Sequence, residues 1–151
     1  MEKTVFFCLL LFSLNSFGQG GADSLLQGRW ELFEIIDNMT GEAMEPSHKS
    51  SEDYVYYIEF NDNLVKYNLE INTCTNEVVV DQNHHIEFKY FSECTKICCD
   101  DDFSKLLTYS DVNTYYIKSN TILILVSEDR IFYFRKTTSP QDKRREKKNK
   151  K

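Results

Sequence analysis

NTCTNEVVVDQNHHIEFKYFSECTKICCDDD, residues 72–102, is the stretch on which the fold turns. It holds four of the five cysteines: Cys74, Cys94, Cys98 and Cys99. Two apolar runs, residues 77–80 and 86–90, flank Asp81-Gln82-Asn83. Asn and Asp tolerate left-handed backbone geometry, so the pattern predicts a strand, a tight turn and a second strand. Ile86, Phe88 and Tyr90 alternate with polar residues, the period of a strand with one buried face. Asp100, Asp101 and Asp102 then precede Phe103, Leu106 and Leu107. That spacing predicts a short helix over residues 102–107, with carboxylates that complement and cap its N-terminus.

Strand signals extend in both directions. Upstream, Val65, Tyr67, Leu69 and Ile71 keep a period of two, and so do Tyr54, Tyr56, Ile58 and Phe60. Asn61-Asp62-Asn63 between them reads as a turn. Trp30, Leu32, Ile35 and Ile36 mark an earlier strand. Residues 37–51 are polar, carry Gly41 and Pro46, and read as a loop held by Met39 and Met44. Downstream, residues 114–117, 121–126 and 130–135 are strands, with turns at Ser119-Asn120 and Glu128-Asp129. Connections this short make neighbouring strands antiparallel. The predicted fold class is α+β, mostly antiparallel sheet of about eight strands with one short helix.

The ends of the chain differ from its middle. Lys3 followed by an almost unbroken apolar run from Val5 to Leu14 has the form of a signal peptide and is too short to span a bilayer. Ser16 and Gly18 are the small residues that a cut before Gln19 requires. Cys8 lies inside the apolar run, away from the cut, so a lipid anchor is not expected. The net charge of −6 divides into about +6 on residues 136–151 and about −12 on the body. An acidic body argues against nucleic acid as a partner. The tail offers no apolar side chain, so it is expected to be disordered, with at most weak contact with anionic surfaces. The expected division is a signal peptide (1–18), a flexible lead (19–24), one domain (25–136) and a basic tail (137–151). The mature protein is expected to be exported, periplasmic or secreted, and monomeric. Its partner would be an unidentified protein or small ligand.

No motif for catalysis or for a cofactor is present. A Gly-x-Ser-x-Gly elbow and a phosphate-binding glycine loop are both missing. His84 and His85 are adjacent in a strand-turn setting and so face opposite ways, and His48 is remote. Tyr54, Tyr56, Tyr115 and Tyr133 read as sheet core or edge support, or as the lining of a barrel cavity. The cysteine spacing does not suit zinc, and an oxidising compartment favours disulfides. Adjacent cysteines rarely bond each other. Two pairings then remain: Cys74–Cys99 with Cys94–Cys98, or Cys74–Cys98 with Cys94–Cys99.

In order along residues 25–136, several landmarks resemble the META domain, the HslJ-like domain of bacterial envelope proteins. They are Leu26-x-Gly28-x-Trp30-x-Leu32, Tyr57-x-Glu59-Phe60, Asn72-x-Cys74-x-Asn76 and Thr95-Lys96-Ile97-Cys98-Cys99. The last is similar to that family's Thr-x-Met-x-Cys motif, with Cys99 as the matching cysteine. The resemblance implies a sheet curled around one helix, an envelope location, and a non-catalytic binding or stress-related structural role. It also favours pairing Cys74 with Cys99, which leaves Cys94 with Cys98. The Gly-x-Trp opening on an all-strand body also looks like lipocalin-type barrels. That alternative implies a carrier of a small apolar ligand, and it needs a lumen that Phe103, Leu106 and Leu107 do not fill.

Overall fold

The computed structural model describes residues 23–46, 56–69, 72–89, 93–95 and 103–137. The predicted signal peptide, the start of the lead and all but the first residue of the basic tail lie outside them. So do His48, Tyr54, Cys98, Cys99 and the Asp100–Asp102 carboxylates.

The described chain is built from strands. β1 is Gly28–Asp37, β2 Ala43–Met44, β3 Tyr57–Asn61, β4 Leu64–Leu69 and β5 Asn72–Val80. β6 is Ile86–Phe88, β7 Glu93–Cys94, β8 Thr114–Lys118, β9 Ile122–Val126 and β10 Arg130–Thr137. Every pairing is antiparallel, in the order β6-β5-β4-β3-β1-β10-β9-β8. β2 adds to β1, and β7 adds to β5. The two ends of this order meet. His85 bridges Thr114, the Tyr115 amide donates to the His84 carbonyl at 2.9 Å, and the Ile86 amide donates to the Asn113 carbonyl at 3.0 Å. The sheet is therefore a nearly closed barrel, which fits the barrel alternative. The helix predicted over residues 102–107 is a single 3-10 turn, Ser104–Leu106, whose N-cap Phe103 makes no side-chain cap bond. Three-residue spacing alone cannot tell one turn from a helix, and such a short element must draw its stability from packing.

Strand alternation sorts the side chains. Trp30 and Leu32 point inward, then a bulge between Leu32 and Glu34 shifts the phase so that Ile35 points inward too. Inward residues face each other across the ladders: Trp30 with Ile58, Ile58 with Tyr67, Tyr67 with Cys74, Val78 with Phe88, and Leu125 with Phe132. These residues form one buried cluster. The Trp30 indole donates to the Leu26 carbonyl at 2.6 Å, and the Lys136 ammonium lies 4.7 Å from the Trp30 ring centre. The predicted turns hold Asp62, His84, Ser119 and Asn120 at positive φ, the geometry that tight hairpins need.

β6 and β7 are one interrupted strand along β5. Phe88 faces Val78, but the next ladder pair is Thr75 with Glu93, so the strand carries two extra residues between them. Within this bulge, Lys89 lies beside Glu77 and Asn76.

Candidate functional site

The bulge and the segment after the 3-10 turn together make the site. Residues 103–113 lead into β8 and run into the barrel. Phe103 packs on Tyr56 with ring centres 5.0 Å apart. The Arg130 guanidinium donates to the Leu106 carbonyl at 3.3 Å and ties the turn to β10. Leu107, Tyr109 and Val112 are then buried, while Thr108, Ser110 and Asp111 are exposed. The Tyr109 ring meets Tyr67 edge-on at 5.0 Å, stacks on Phe88 at 5.7 Å, and meets Phe132 at 5.3 Å and Phe134 at 6.4 Å. Those four rings come from β4, β6 and β10, on different walls of the barrel. Tyr109 is thus a plug in the lumen. Burial, with Tyr67 beside it, holds its phenol protonated far above the ordinary tyrosine range.

A pocket of about 220 Å³ remains beside the plug. Tyr67, Phe88, Leu107 and Tyr109 are its walls. Lys89, Thr108 and Ser110 also line it, and Asn76 supplies its buried polar group. The Asn76 side-chain amide donates to the Lys89 carbonyl at 3.2 Å. That bond fixes which way the amide faces, because the flipped group would set oxygen against oxygen. Asn76 Oδ1 is left buried with no hydrogen-bond donor among the described residues. The Lys89 ammonium is held by Glu87 at 2.8 Å.

The cysteine pairing expected from the META resemblance is overturned, since Cys74 is bonded to Cys94. The antiparallel register of β5 and β7 sets the two directly opposite, with Cα atoms 4.1 Å apart. This pairing leaves Cys98 and Cys99 only each other, and both lie outside the described residues. A disulfide here is compatible with an oxidising, exported compartment.

Other candidates scatter. His84 and His85 are exposed at the β5–β6 turn, where Asp81 accepts from the Asn83 and His85 amides at 2.8 and 3.0 Å. Those bonds hold the Asp81 carboxyl below its usual range. No group of three or more metal-ligating side chains occurs among the described residues. Met39 is 87% exposed and anchors nothing, whereas Met44 packs against the core. Tyr56 is buried against the plug segment and Tyr133 stands half-exposed beside Phe33. Tyr115 is buried, and its hydroxyl donates to Asp23 at 3.0 Å. Burial and that carboxylate push the Tyr115 phenol up to about 12. Tyr109 and Asn76 are the site residues that sequence reasoning missed. The only signal for Tyr109 was its alternation with Leu107.

No helix among the described residues is long and apolar enough to cross a membrane. No family model matches this chain, and no curated protein matches it. Among solved structures, the chain is similar to the crystal structure of a DUF4847 family protein from Bacteroides vulgatus. The two are 13% identical with a TM-score of 0.53, over 77% of this chain and 96% of that one. At that identity the likeness shows the fold alone.

Proposed function

We propose that this protein is an exported, non-catalytic binding protein of the cell envelope that holds a small ligand beside Tyr109. The observation that carries the reading is the pocket of about 220 Å³, lined by both aromatic and polar side chains, between the plug and the wall formed by β4, β5 and β6. Typical pockets for drug-sized ligands start near 300 Å³, so the occupant is a fragment-sized molecule. A wide-lumen carrier loses its main support, because Leu107 and Tyr109 fill the space and Phe103 and Leu106 pack against it. Export rests on the leader-like N-terminus and on the Cys74–Cys94 bridge.

A META-type structural role is the second reading. It draws support from residues 103–113, which pack inside the curled sheet much as that resemblance places a helix. Native mass spectrometry of protein recovered from the periplasm or medium separates the readings. A mature chain starting at Gln19 with a bound small molecule supports the binding protein. A ligand-free mature chain favours the structural role, and retention of residues 1–18 on recovered protein sinks export.

A further inference from the structure

We infer that the outer face of β8, β9, β10 and the second half of β1 docks a second copy of this chain, β9 antiparallel on β9. The first observation is β9 itself. Its sequence, Ile-Leu-Ile-Leu-Val, is apolar at every position. Leu123 and Leu125 belong to the core, so Ile122, Ile124 and Val126 point out of the barrel. Water on one side of a strand calls for polar residues at alternate positions, and a strand apolar on both faces is one covered on both. The ladders widen this outer stripe. Ile131 and Tyr133 of β10 lie opposite Val126 and Ile124. Tyr116 of β8 flanks Ile124 on its other side, and Ile36 of β1 lies opposite Ile131. The β1 bulge adds Phe33, whose ring centre is 6.1 Å from that of Tyr133. Tyr116 is 52% exposed, and the others are partly exposed. On β4 and β5 the outward residues are mostly polar, among them Lys66, Thr73, Thr75 and Glu77, so the apolar face is confined to one side.

Size and charge select the occupant. Four strands about 4.8 Å apart, with outward positions about 6.8 Å apart along each, give an apolar centre of about 400 Å² with side chains included. That is about half of the roughly 800 Å² that each partner buries in a standard interface, so the charged ends of the face must contribute the rest. At one end stand Lys118 and Arg135, both exposed. Residues 138–151, seven of them basic and two acidic, follow β10 from this end. At the other end stand Glu128 and Asp129. Asn38 holds their turn, donating to the Asp129 carbonyl at 2.8 Å and to the Glu128 carbonyl at 3.0 Å. Such a face complements itself under a two-fold axis that lies in the interface, perpendicular to the strands. β9 then stacks on β9, and each basic end meets the other copy's acidic end. Glu31 faces Arg135 across the ladder, so Lys118, opposite Ile122, is the charge to test. An anionic lipid surface would repel Glu128 and Asp129, so the charge pattern favours a second copy over a membrane.

The test is sedimentation velocity of the full mature chain over a wide concentration range, where a dimer with a Kd on the order of micromolar is expected. Ile124→Glu sets a carboxylate at the centre of both faces and should weaken the dimer by at least about a hundredfold. Its melting temperature should stay close to that of the unaltered monomer, because Ile124 lies outside the core. If Ile124→Glu does not fold, Tyr116→Glu at the more exposed neighbour takes its place. Lys118→Glu should weaken the dimer by about tenfold, and adding Glu128→Lys and Asp129→Lys to it should restore it. A monomer at every concentration overturns the inference. So does a dimer that survives both Ile124→Glu and Tyr116→Glu, since it would use another surface. Failure of the charge exchange to restore the dimer overturns the antiparallel arrangement. A monomer that sediments with anionic vesicles, and no longer does so as Ile124→Glu, would give this face to lipid and overturn the second copy. None of these outcomes bears on the pocket beside Tyr109.

Discussion

Replacing Tyr109 with alanine tests whether the plug is structural. The ring is buried and meets four others, Tyr67, Phe88, Phe132 and Phe134, within 6.4 Å between centres. Truncating a buried aromatic of this kind costs about 3–5 kcal/mol, the lost transfer energy plus the cavity left behind. A domain of this size has a total stability of roughly 5–15 kcal/mol, so the loss is a large fraction of it. At about 4 °C per kcal/mol, the melting temperature should fall by about 12–20 °C. Tyr109→Phe keeps every ring contact and should lose under about 1.5 kcal/mol. The cavity left by alanine joins the existing pocket, so the variant should also take up a larger apolar dye that the parent protein refuses. Calorimetry and dye titration at neutral pH measure both effects. A fall of less than about 3 °C for Tyr109→Ala would mean that the ring does not occupy the lumen and that the barrel is not plugged.

Three further outcomes follow from the same geometry. Cys74 and Cys94 are separated by 20 residues, and the chain-entropy model gives about 3 kcal/mol for closing such a loop. Replacing both with serine should therefore destabilise by about that amount, and non-reducing peptide maps should show Cys74 joined to Cys94; a Cys74–Cys99 peptide would refute the register. The Tyr115 phenol titrates at about 12 in the fold against an ordinary 10.0, so the unfolded chain releases this proton first. That contribution to stability is intact below pH 10.0 and is lost as the pH rises towards 12. Tyr109 adds to the same alkaline loss, so Tyr115→Phe should flatten, without abolishing, the fall in urea stability above pH 10.0; an unchanged slope counts against the Asp23 contact. Hydrogen exchange should be faster at Ile86 and Tyr115 than in the β1–β10 ladder, because the β6–β8 seam holds one bridge and the other holds a long register; equal protection would mean a fully closed barrel.

Much of the fold was legible because alternation is a local signal. Val65 and Tyr67 in β4, Ile86 and Phe88 in β6, and the turn residues Asp62, Ser119 and Asn120 each announce their geometry within a few positions. The phase change from Leu32 to Ile35 is the β1 bulge, which the apolar pattern marks only as part of a strand. What was not legible is non-local. Nothing near Gly28 or Thr137 states that the first and last strands pair, and nothing near His85 states that it reaches Thr114. The cysteine pairing also depends on register. Cys74 and Cys94 are opposite only because two extra residues after Phe88 shift the register of β7 against β5. Spacing along the chain carries no trace of that shift.

The site was hidden for a related reason. Leu107 and Tyr109 alternate with Thr108 and Ser110, and the apolar spacing from Phe103 to Leu107 also matches one turn of helix. Either pattern says only that one face is buried, not what it is buried against. Inside a barrel that face meets the lumen, so a connecting segment does the work that a core helix would do in an open sheet. In a barrel packed by strand side chains alone, an inward asparagine facing Val65 would be a defect. Here the bulge supplies the Lys89 carbonyl to its amide nitrogen, while its oxygen stays buried with no donor among the described residues. The two departures from regular strand geometry, one in β6–β7 and one in the segment that follows, are what leave a gap in an otherwise filled core.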